Sequence, residues 1–479
     1  MFFYAVLIIK KIFSMLKVCP EPKDRRSIAA QEGSMYTGEF ESADEDIAEP
    51  QRVLRWPFKE GTTERREGTV LKKITKLSIE PQGYQLVEQA DGISQVCSPN
   101  HLLRRRQFHP HSTVTRNPPK GSTFHARFHE YWCHQGVIGE GGDGVVHLYQ
   151  QPKQRGMYIA VKLPRYSSVR EGLVQEITNM QILGRHEHIL GLCFASDDWY
   201  PCGPALFLPF CELGNLIAYR ESWCAQQEWE GQPVRISEIT MWKLFRDMVL
   251  ALNYLHNELG TRYVHNDFKP QNVLAVVPPD QIGGQTLPEE PIFKLSDFAR
   301  LTPWPTPKGQ HPQGFEGTPE YAPPRLEQIA PVHPSADIWG LGATLQFMAL
   351  GIVPIQSREA FIRSRKAQGK TYPGIYDQHE WMLEYWRYRI PIVFRPINVP
   401  LNVLRKDYDL PYDIPGYHPY GARLGYWYAQ LWKPVMTRPK ASKLVAQAIP
   451  HMDDMVKRLK LERIKQLRQD EEYGALHDV

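Results

Sequence analysis

This chain has little net charge. Its 57 lysines and arginines nearly balance 53 aspartates and glutamates, leaving +4 with histidines neutral over 479 residues. A balance that close gives no reason to expect a nucleic-acid partner. Cysteine is sparse: the seven are scattered, odd in number and without a Cys-x-x-Cys pair. They read as reduced thiols of an intracellular protein, cytoplasmic or nuclear, rather than as a disulfide framework. Long apolar runs are missing as well. Met1 to Ile9 is apolar, but Lys10 and Lys11 interrupt it before Ile12 to Leu16. The first run is too short to span a bilayer. It also lacks the leading positive charge and small-residue cleavage site of a signal peptide. No stable membrane span is expected.

What the chain does have is a concentrated set of charged and amide residues. His265-Asn266-Asp267-Phe268-Lys269-Pro270-Gln271-Asn272 is followed by Asp297-Phe298-Ala299. This spacing supplies what phosphoryl transfer requires, a chemistry that is mostly positioning and charge neutralisation. One carboxylate orients the attacking hydroxyl, a lysine faces the transferred phosphate, and an amide and a second carboxylate hold magnesium. Upstream lies Gly139-Glu140-Gly141-Gly142-Asp143-Gly144. Dinucleotide-binding folds use a similar glycine pattern, but there it leads from a strand into a helix. Here the run Val145-Val146-His147-Leu148-Tyr149 follows, so the glycines turn between two strands and can cover phosphates. An ordinary glycine-rich turn is the alternative.

Tyr158-Ile159-Ala160-Val161-Lys162 reads as a strand ending in a lysine. Glu171 to Leu183 reads as a helix with Ile177, Met180 and Leu183 on one face. Glu176 sits beside that face and can pair with Lys162, holding the lysine against the α- and β-phosphates. Glu171 is the competing partner.

With these motifs in this order, and with Gly317-Thr318-Pro319-Glu320-Tyr321, Asp337-Ile338-Trp339-Gly340-Leu341-Gly342 and Arg438-Pro439-Lys440-Ala441 further along, the chain resembles a eukaryotic-type protein kinase of the Ser/Thr kind over residues 128–450. The resemblance implies an α+β fold with a β-rich N-lobe, a helical C-lobe, and ATP and magnesium bound between them. It implies a protein substrate with a Ser or Thr acceptor. By resemblance, Gly139, Gly141 and Gly144 form the phosphate-covering loop, and Lys162 and Glu176 the ion pair of an assembled N-lobe. Asp267 is the base for the hydroxyl proton, Lys269 the loop lysine of Ser/Thr kinases, and Asn272 and Asp297 the magnesium ligands. Val146 and Ala160 are expected above the adenine and Leu274 below it. Leu208 precedes the hinge, where the Pro209 carbonyl accepts from the base and the backbone of Cys211 donates. Thr318 is expected to bond toward Asp267 and Lys269.

Several positions depart from the family pattern. Asn266 replaces the arginine that contacts a phosphorylated activation segment, so Thr302 and Thr306, its candidate phosphosites, lose leverage. Ala299 replaces a glycine, which makes a positive φ costly there. Arg325 replaces the glutamate that pairs with an arginine corresponding to Arg438. Two arginines would then meet at a buried site, unless one turns away or Glu327 steps in. Asn215 stands where an acid often contacts the ribose, and Gln271 where an acid reads basic substrate residues. None of these removes a group that performs the chemistry. The alternative is a pseudokinase-like, ATP-binding scaffold. A small-molecule kinase is a further possibility, against which the Gly317 to Tyr321 segment speaks.

Outside the catalytic region, residues 1–52 read as a polar, disordered segment. Residues 53–106 read as a possible small β module with an Asp91-Gly92 hairpin turn, and 107–127 as a linker. His125, His129 and Cys133 lie four apart, a metal-binding face if helical. The expectation is instead that this stretch feeds the first strand. Val277 to Pro291 reads as an insertion bulging outward between two strands. Residues 355–425 are rich in Tyr, Trp and Pro and read as a buried elaboration of the C-lobe or an exposed partner surface. Residues 451–479 read as a helical tail covering the C-lobe or pairing with another helix.

Overall fold

A computed structural model describes residues 124–477, apart from 143, 155, 198, 200–202, 230–234, 282–285, 373–388, 411–413 and 415. The disordered segment and β module expected before residue 107 lie outside the described residues. Strands β1 (Cys133–Glu140), β2 (Val145–Gln150), β3 (Tyr158–Leu163), β4 (Phe194–Ser196) and β5 (Ala205–Pro209) form an antiparallel sheet in the order β1-β2-β3-β5-β4. Their β-branched and aromatic side chains suit a pleated, half-buried surface.

Helix α1 (Phe124–Tyr131) precedes the sheet. It begins inside the stretch read as a linker, and it is a helix where a strand lead-in was expected. Phe128 is fully buried, in contact with the rings of Tyr149, Trp199 and Phe207. That aromatic cluster gives a short, polar helix the buried face it needs. On α1 the rings of His125 and His129 meet, Nε2 to Nε2 at 3.1 Å. Cys133 lies beyond the helix, in β1. Among the described residues no group of three or more side chains could hold a metal ion.

Helix α2 (Arg170–Leu183) packs on the inner face of the sheet and buries Leu173, Ile177, Met180 and Leu183. The C-lobe is built on α3 (Leu216–Trp229), α4 (Glu238–Asn253), α5 (Arg325–Ile329), α6 (Ser335–Leu350), α7 (Arg358–Ala367), α8 (Leu401–Asp407), α9 (Ala422–Gln430), α10 (Ala441–Gln447) and α11 (Ile449–His477). Helices α4 and α6 form its centre, with Trp242, Phe245, Leu341 and Leu345 fully buried. Ser237 caps α4, its hydroxyl oxygen accepting the Thr240 N–H at 3.1 Å, an arrangement that stabilises a helix by about 1 kcal/mol. Among the described helices, none is long and apolar enough to cross a membrane.

Two antiparallel strand pairs position the site. Strand β6 (Arg262–Val264) pairs with β9 (Thr302–Trp304), and β7 (Val273–Val276) with β8 (Ile292–Leu295). The register Val273 to Leu295 brings Asn272, just before β7, beside Ser296 and Asp297, just after β8. Ser296 N donates to the Asn272 carbonyl at 2.8 Å and locks that closure.

The 277–291 insertion does not simply bulge outward. Its Pro288 carbonyl accepts the Tyr219 hydroxyl at 2.8 Å and its Glu289 carbonyl the Thr240 hydroxyl at 2.6 Å. Glu289 and Glu290 pair with Arg463 and Lys460 of α11. In the aromatic-rich region Tyr417 and Tyr420 are buried, Tyr408 is half-buried and Tyr372 is exposed. Phe394 stacks on Tyr428, with centroids 5.5 Å apart. Helix α11 covers the C-lobe with Met452 in the core and Met455, Val456 and Leu459 packed against it.

Candidate active site

The sheet and α2 place Lys162 and Glu176 together. Lys162 leaves β3 facing α2, and its Nζ lies 2.7 Å from Glu176 Oε2 and 3.2 Å from Asp297 Oδ1. Glu171, the competing partner, is exposed. Burial alone would lower the Lys162 pKa, but the carboxylates of Glu176 and Asp297 outweigh it and hold the ammonium above its ordinary range. Burial likewise pushes Asp297 upward, and the charges of Lys162, Lys269 and His265 reverse that, leaving its carboxyl below the ordinary value. These opposite shifts keep the pair ionised, because a buried charge persists only when paired.

The second half of the site joins the 265–272 loop to Thr318. The Asp267 carboxylate accepts Lys269 Nζ at 2.8 Å on Oδ2, and the Thr318 N–H and hydroxyl at 2.8 Å each on Oδ1. Lys269 Nζ also donates to the Thr318 hydroxyl oxygen at 2.7 Å. Asn272 Nδ2 donates to the Asp267 carbonyl at 2.8 Å, which turns its amide oxygen away from that bond. The catalytic-loop backbone is fixed from α6, where buried Asp337 accepts the N–H groups of His265 at 2.8 Å and Asn266 at 3.0 Å, and His256 Nε2 at 2.8 Å.

The glycine loop joins β1 to β2, with Gly139 paired opposite Val146. Gly141 N donates to the Gly144 carbonyl at 2.9 Å. A Cβ on Gly144 would stand 2.5 Å from the Leu163 carbonyl, a clash that excludes a side chain there. Around Gly141 there is open space. Ala160 pairs with Leu208 across β3 and β5. Val146 and Leu274 are partly buried against the same hydrophobic core that holds Ala160 and Leu208. Pro209 is exposed at the end of β5 and Cys211 is buried. Burial pushes the Cys211 thiol up to about 12, which makes it unreactive. Asn215 accepts the Ala218 N–H at 3.0 Å and caps α3.

The departures from the family pattern are accommodated. Asn266 takes a left-handed backbone, φ 64°. Its Nδ2 reaches the Thr302 hydroxyl oxygen and the Gly314 carbonyl, both at 3.3 Å, and its Oδ1 accepts the Glu316 N–H at 3.3 Å. Thr302 is buried and its hydroxyl donates to the Arg300 carbonyl at 3.0 Å, which takes it out of the set of accessible phosphosites. The positive φ of the magnesium motif sits on Asp297, 65°, and not on Ala299. Arg438 turns to Glu327 rather than Arg325.

Two residues important to this geometry carried no assigned role in the sequence reading. Asp337 was visible only as part of a motif. Asn179, buried on α2, donates to the Phe298 carbonyl at 2.7 Å and holds the Asp297-Phe298-Ala299 segment against the N-lobe. Its only sequence signal is its position three residues after Glu176.

Glu320 adds a pH-dependent element. Both carboxylate oxygens are buried with no hydrogen-bond partner beyond its own backbone among the described residues. Burial raises its pKa, and the attraction of Lys269 does not offset that. The folded state therefore favours protonated Glu320. Its contribution is full below the unfolded carboxyl value and is lost as pH rises through the elevated folded value. Glu320→Gln is expected to flatten the decline of urea stability with rising pH in that window. Coincident wild-type and variant profiles would refute the burial argument.

Comparison with known proteins agrees with this geometry. Residues 132–385 match the model of the protein kinase domain. The chain is 27% identical over 300 residues, 61% of its length, to the mitosis inhibitor protein kinase wee1 of Schizosaccharomyces pombe, covering 30% of that protein. It is 28% identical over 255 residues to the maternal embryonic leucine zipper kinase of Danio rerio, spanning 51% of this chain and 32% of that one. With the serine/threonine-protein kinase Nek4 of Mus musculus the figures are 29% over 223 residues, 46% and 25%. The matched region is thus a third or less of these relatives' length. The chain belongs to the protein kinase domain family.

Proposed function

We propose that this chain transfers the γ-phosphate of ATP to a serine or threonine hydroxyl of a protein substrate. The observation that carries this reading is the continuous charge network from Glu176 through Lys162 to Asp297, lying beside the Asp267, Lys269 and Thr318 cluster. Lys162 and Glu176 orient the nucleotide phosphates beneath the Gly139 to Gly144 loop. The hinge at Pro209 and Cys211 receives the base between Val146, Ala160, Leu208 and Leu274. Asp267 orients the acceptor hydroxyl and takes up its proton, while Lys269 neutralises the transferred phosphate. Asn272 and Asp297 offer hard amide and carboxylate oxygens, a donor set suited to magnesium, and would hold it. When bound, that ion neutralises charge on the phosphate oxygens.

The scaffold reading rested on Ala299 and Arg325, and neither now supports it. Ala299 occupies a φ that an alanine accepts, and Arg325 is exposed while Glu327 holds Arg438. The three bonds of the Asn266 amide tie the activation segment without a phosphate. We therefore read the kinase as not switched by phosphorylation of that segment. Phosphatase treatment and Thr306→Ala are expected to leave the transfer rate at the untreated value. A collapse in rate after either would return the switch to that segment.

The deciding experiment incubates the purified chain with magnesium and γ-labelled ATP, alone and with generic protein substrates. Label on phosphoserine or phosphothreonine supports the proposal. Nucleotide-induced thermal stabilisation without transfer to any substrate would favour the scaffold. Label on phosphotyrosine alone would overturn the Ser/Thr assignment.

A further inference from the structure

The second half of α11 carries more charge than packing against the C-lobe uses. From Val456 to Arg468 the sequence reads VKRLKLERIKQLR, six cations to one acid. At about 100° per residue these divide into two arcs. Val456 and Leu459 face the C-lobe, together with Lys460 and Arg463, which pair with Glu290 and Glu289 of the insertion. The opposite arc holds Lys457, Arg458, Lys465 and Arg468, and among the described residues none of the four has an ion-pair partner. Between them stand Leu461 and Ile464, 59% and 47% exposed. Two acids border that arc: Asp454, which lies 3.8 Å from Arg423, and exposed Glu462 at its edge, one turn from Arg458 and Lys465. Cations outnumber acids, so the strip stays net positive. The result is an outward strip about 17 Å long that combines four cations with two exposed aliphatics.

We propose that this strip docks α11 side-on against an anionic lipid surface, with Leu461 and Ile464 entering the headgroup region and the four cations meeting lipid phosphates and carboxylates. Charge selects an anionic occupant. The spacing of the apolar residues selects a bilayer over the groove of an acidic protein. A groove reads anchors at i, i+3 or i+4, and i+7. Here those positions are Leu461, Ile464 and Arg468, so a groove would have to bury a guanidinium. A headgroup layer accepts it, because the aliphatic stem lies along the apolar boundary while the charge stays in the polar zone. A cluster of four to eight Lys or Arg on such a helix suffices for binding to acidic lipids, at about 1 kcal/mol each. Two shallow aliphatics make the attachment reversible and salt-sensitive rather than permanent.

The test is co-sedimentation of the full chain with phosphatidylcholine vesicles, with and without about one-third phosphatidylserine. Binding is expected only to the acidic vesicles and is expected to fall with added salt. The variant carrying Gln at 457, 458, 465 and 468 keeps a good helix former at each site, and its unchanged melting temperature is the fold control. Its affinity is expected to drop roughly a hundredfold or more. Neutralising an equal number of exposed lysines elsewhere, Lys366, Lys370, Lys406 and Lys443, is expected to leave binding unchanged. Equal binding to neutral vesicles, or an equal loss in both variants, would overturn the proposal. Undiminished binding of the tail variant would do so as well, placing attachment elsewhere, for instance at the apolar Met1 to Ile9. Absence of vesicle binding by the full chain would also overturn it and leave the strip to an acidic protein.

Discussion

Asp267→Asn is expected to lower turnover by about 10²- to 10⁴-fold, the usual contribution of a positioned general base. Its nucleotide-induced thermal stabilisation is expected to stay close to wild type. The two carboxylate oxygens of Asp267 accept Lys269 Nζ, the Thr318 N–H and the Thr318 hydroxyl. An asparagine has one acceptor oxygen and one donor group in their place. Whichever way the amide turns, an N–H₂ faces either the Lys269 ammonium or the Thr318 amide. The variant therefore loses both the proton acceptor and the alignment of the loop lysine. The groups expected to face the nucleotide, Lys162, Glu176 and the hinge, do not touch Asp267 and remain in place. Breaking charged hydrogen bonds in a buried loop costs about 1–3 kcal/mol, so unfolding must be measured beside activity. Single-turnover transfer and nucleotide titration by thermal shift check the split. Wild-type turnover in this variant would remove Asp267 from the chemistry.

The catalytic core was legible because each of its positions is marked by residue type at short sequence spacing. A glycine loop between two strands, a lysine closing a strand and the His265 to Asn272 octet are local patterns, and they identify residues whose partners are distant. The partners themselves were less legible. Glu176 and Glu171 could not be separated by helical periodicity alone, and only packing of α2 on the sheet turns the former inward. Asn179 and Asp337 reach the site through its backbone groups, the Phe298 carbonyl and the N–H groups of His265 and Asn266, so side-chain complementarity in the sequence does not reveal their roles. Helix α1 was missed for a different reason: its stability comes from Tyr149, Trp199 and Phe207, far along the chain. The insertion was read as an outward bulge because proline and glycine dominate it. Its contacts come from α3, α4 and α11, which a local reading does not see.

Asn266 illustrates how a departure can be visible in the sequence while its structural consequence is not. The sequence indicates that a phosphate-binding arginine is absent. It does not indicate that a short amide, on a left-handed backbone, can reach Thr302, Gly314 and Glu316 at once. The left-handed conformation is one that asparagine tolerates better than most residues. An arginine in its place would gain the option of a phosphate contact and lose this short-range tie. Asn266 thus supplies a standing connection between the 265–272 loop and the segment holding Thr302, Gly314 and Glu316.

The Arg438 site carries the largest expected stability effect. Its guanidinium is fully buried and makes a two-pronged bond to Glu327, 2.8 Å on each oxygen. It also donates to the Ser335 carbonyl at 2.8 Å and the Lys433 carbonyl at 2.9 Å, and lies over the Trp339 ring at 4.9 Å. Glu327→Ala removes the carboxylate that pairs with this charge among the described residues and leaves it buried against carbonyls, which do not neutralise it. Loss of one partner of a buried pair costs about 3–5 kcal/mol, and urea unfolding is expected to show a shift of that size. Arg325→Ala, at an exposed side chain, is expected to stay within about 0.5 kcal/mol. Arg325→Glu would restore the residue type common in the family, yet it is not expected to rescue Glu327→Ala, because position 325 lies on the solvent side of α5. Because Glu327 ties α5 through Arg438 to Ser335 and Trp339 of α6, and α6 holds the 265–272 loop through Asp337, the loss is expected to reach activity as well, lowering turnover more than nucleotide affinity. If Arg325→Ala proved the costlier change, or if Arg325→Glu restored stability, the pairing assigned to Glu327 would be wrong, and the end of the activation segment would be held as it is in the family's common pattern.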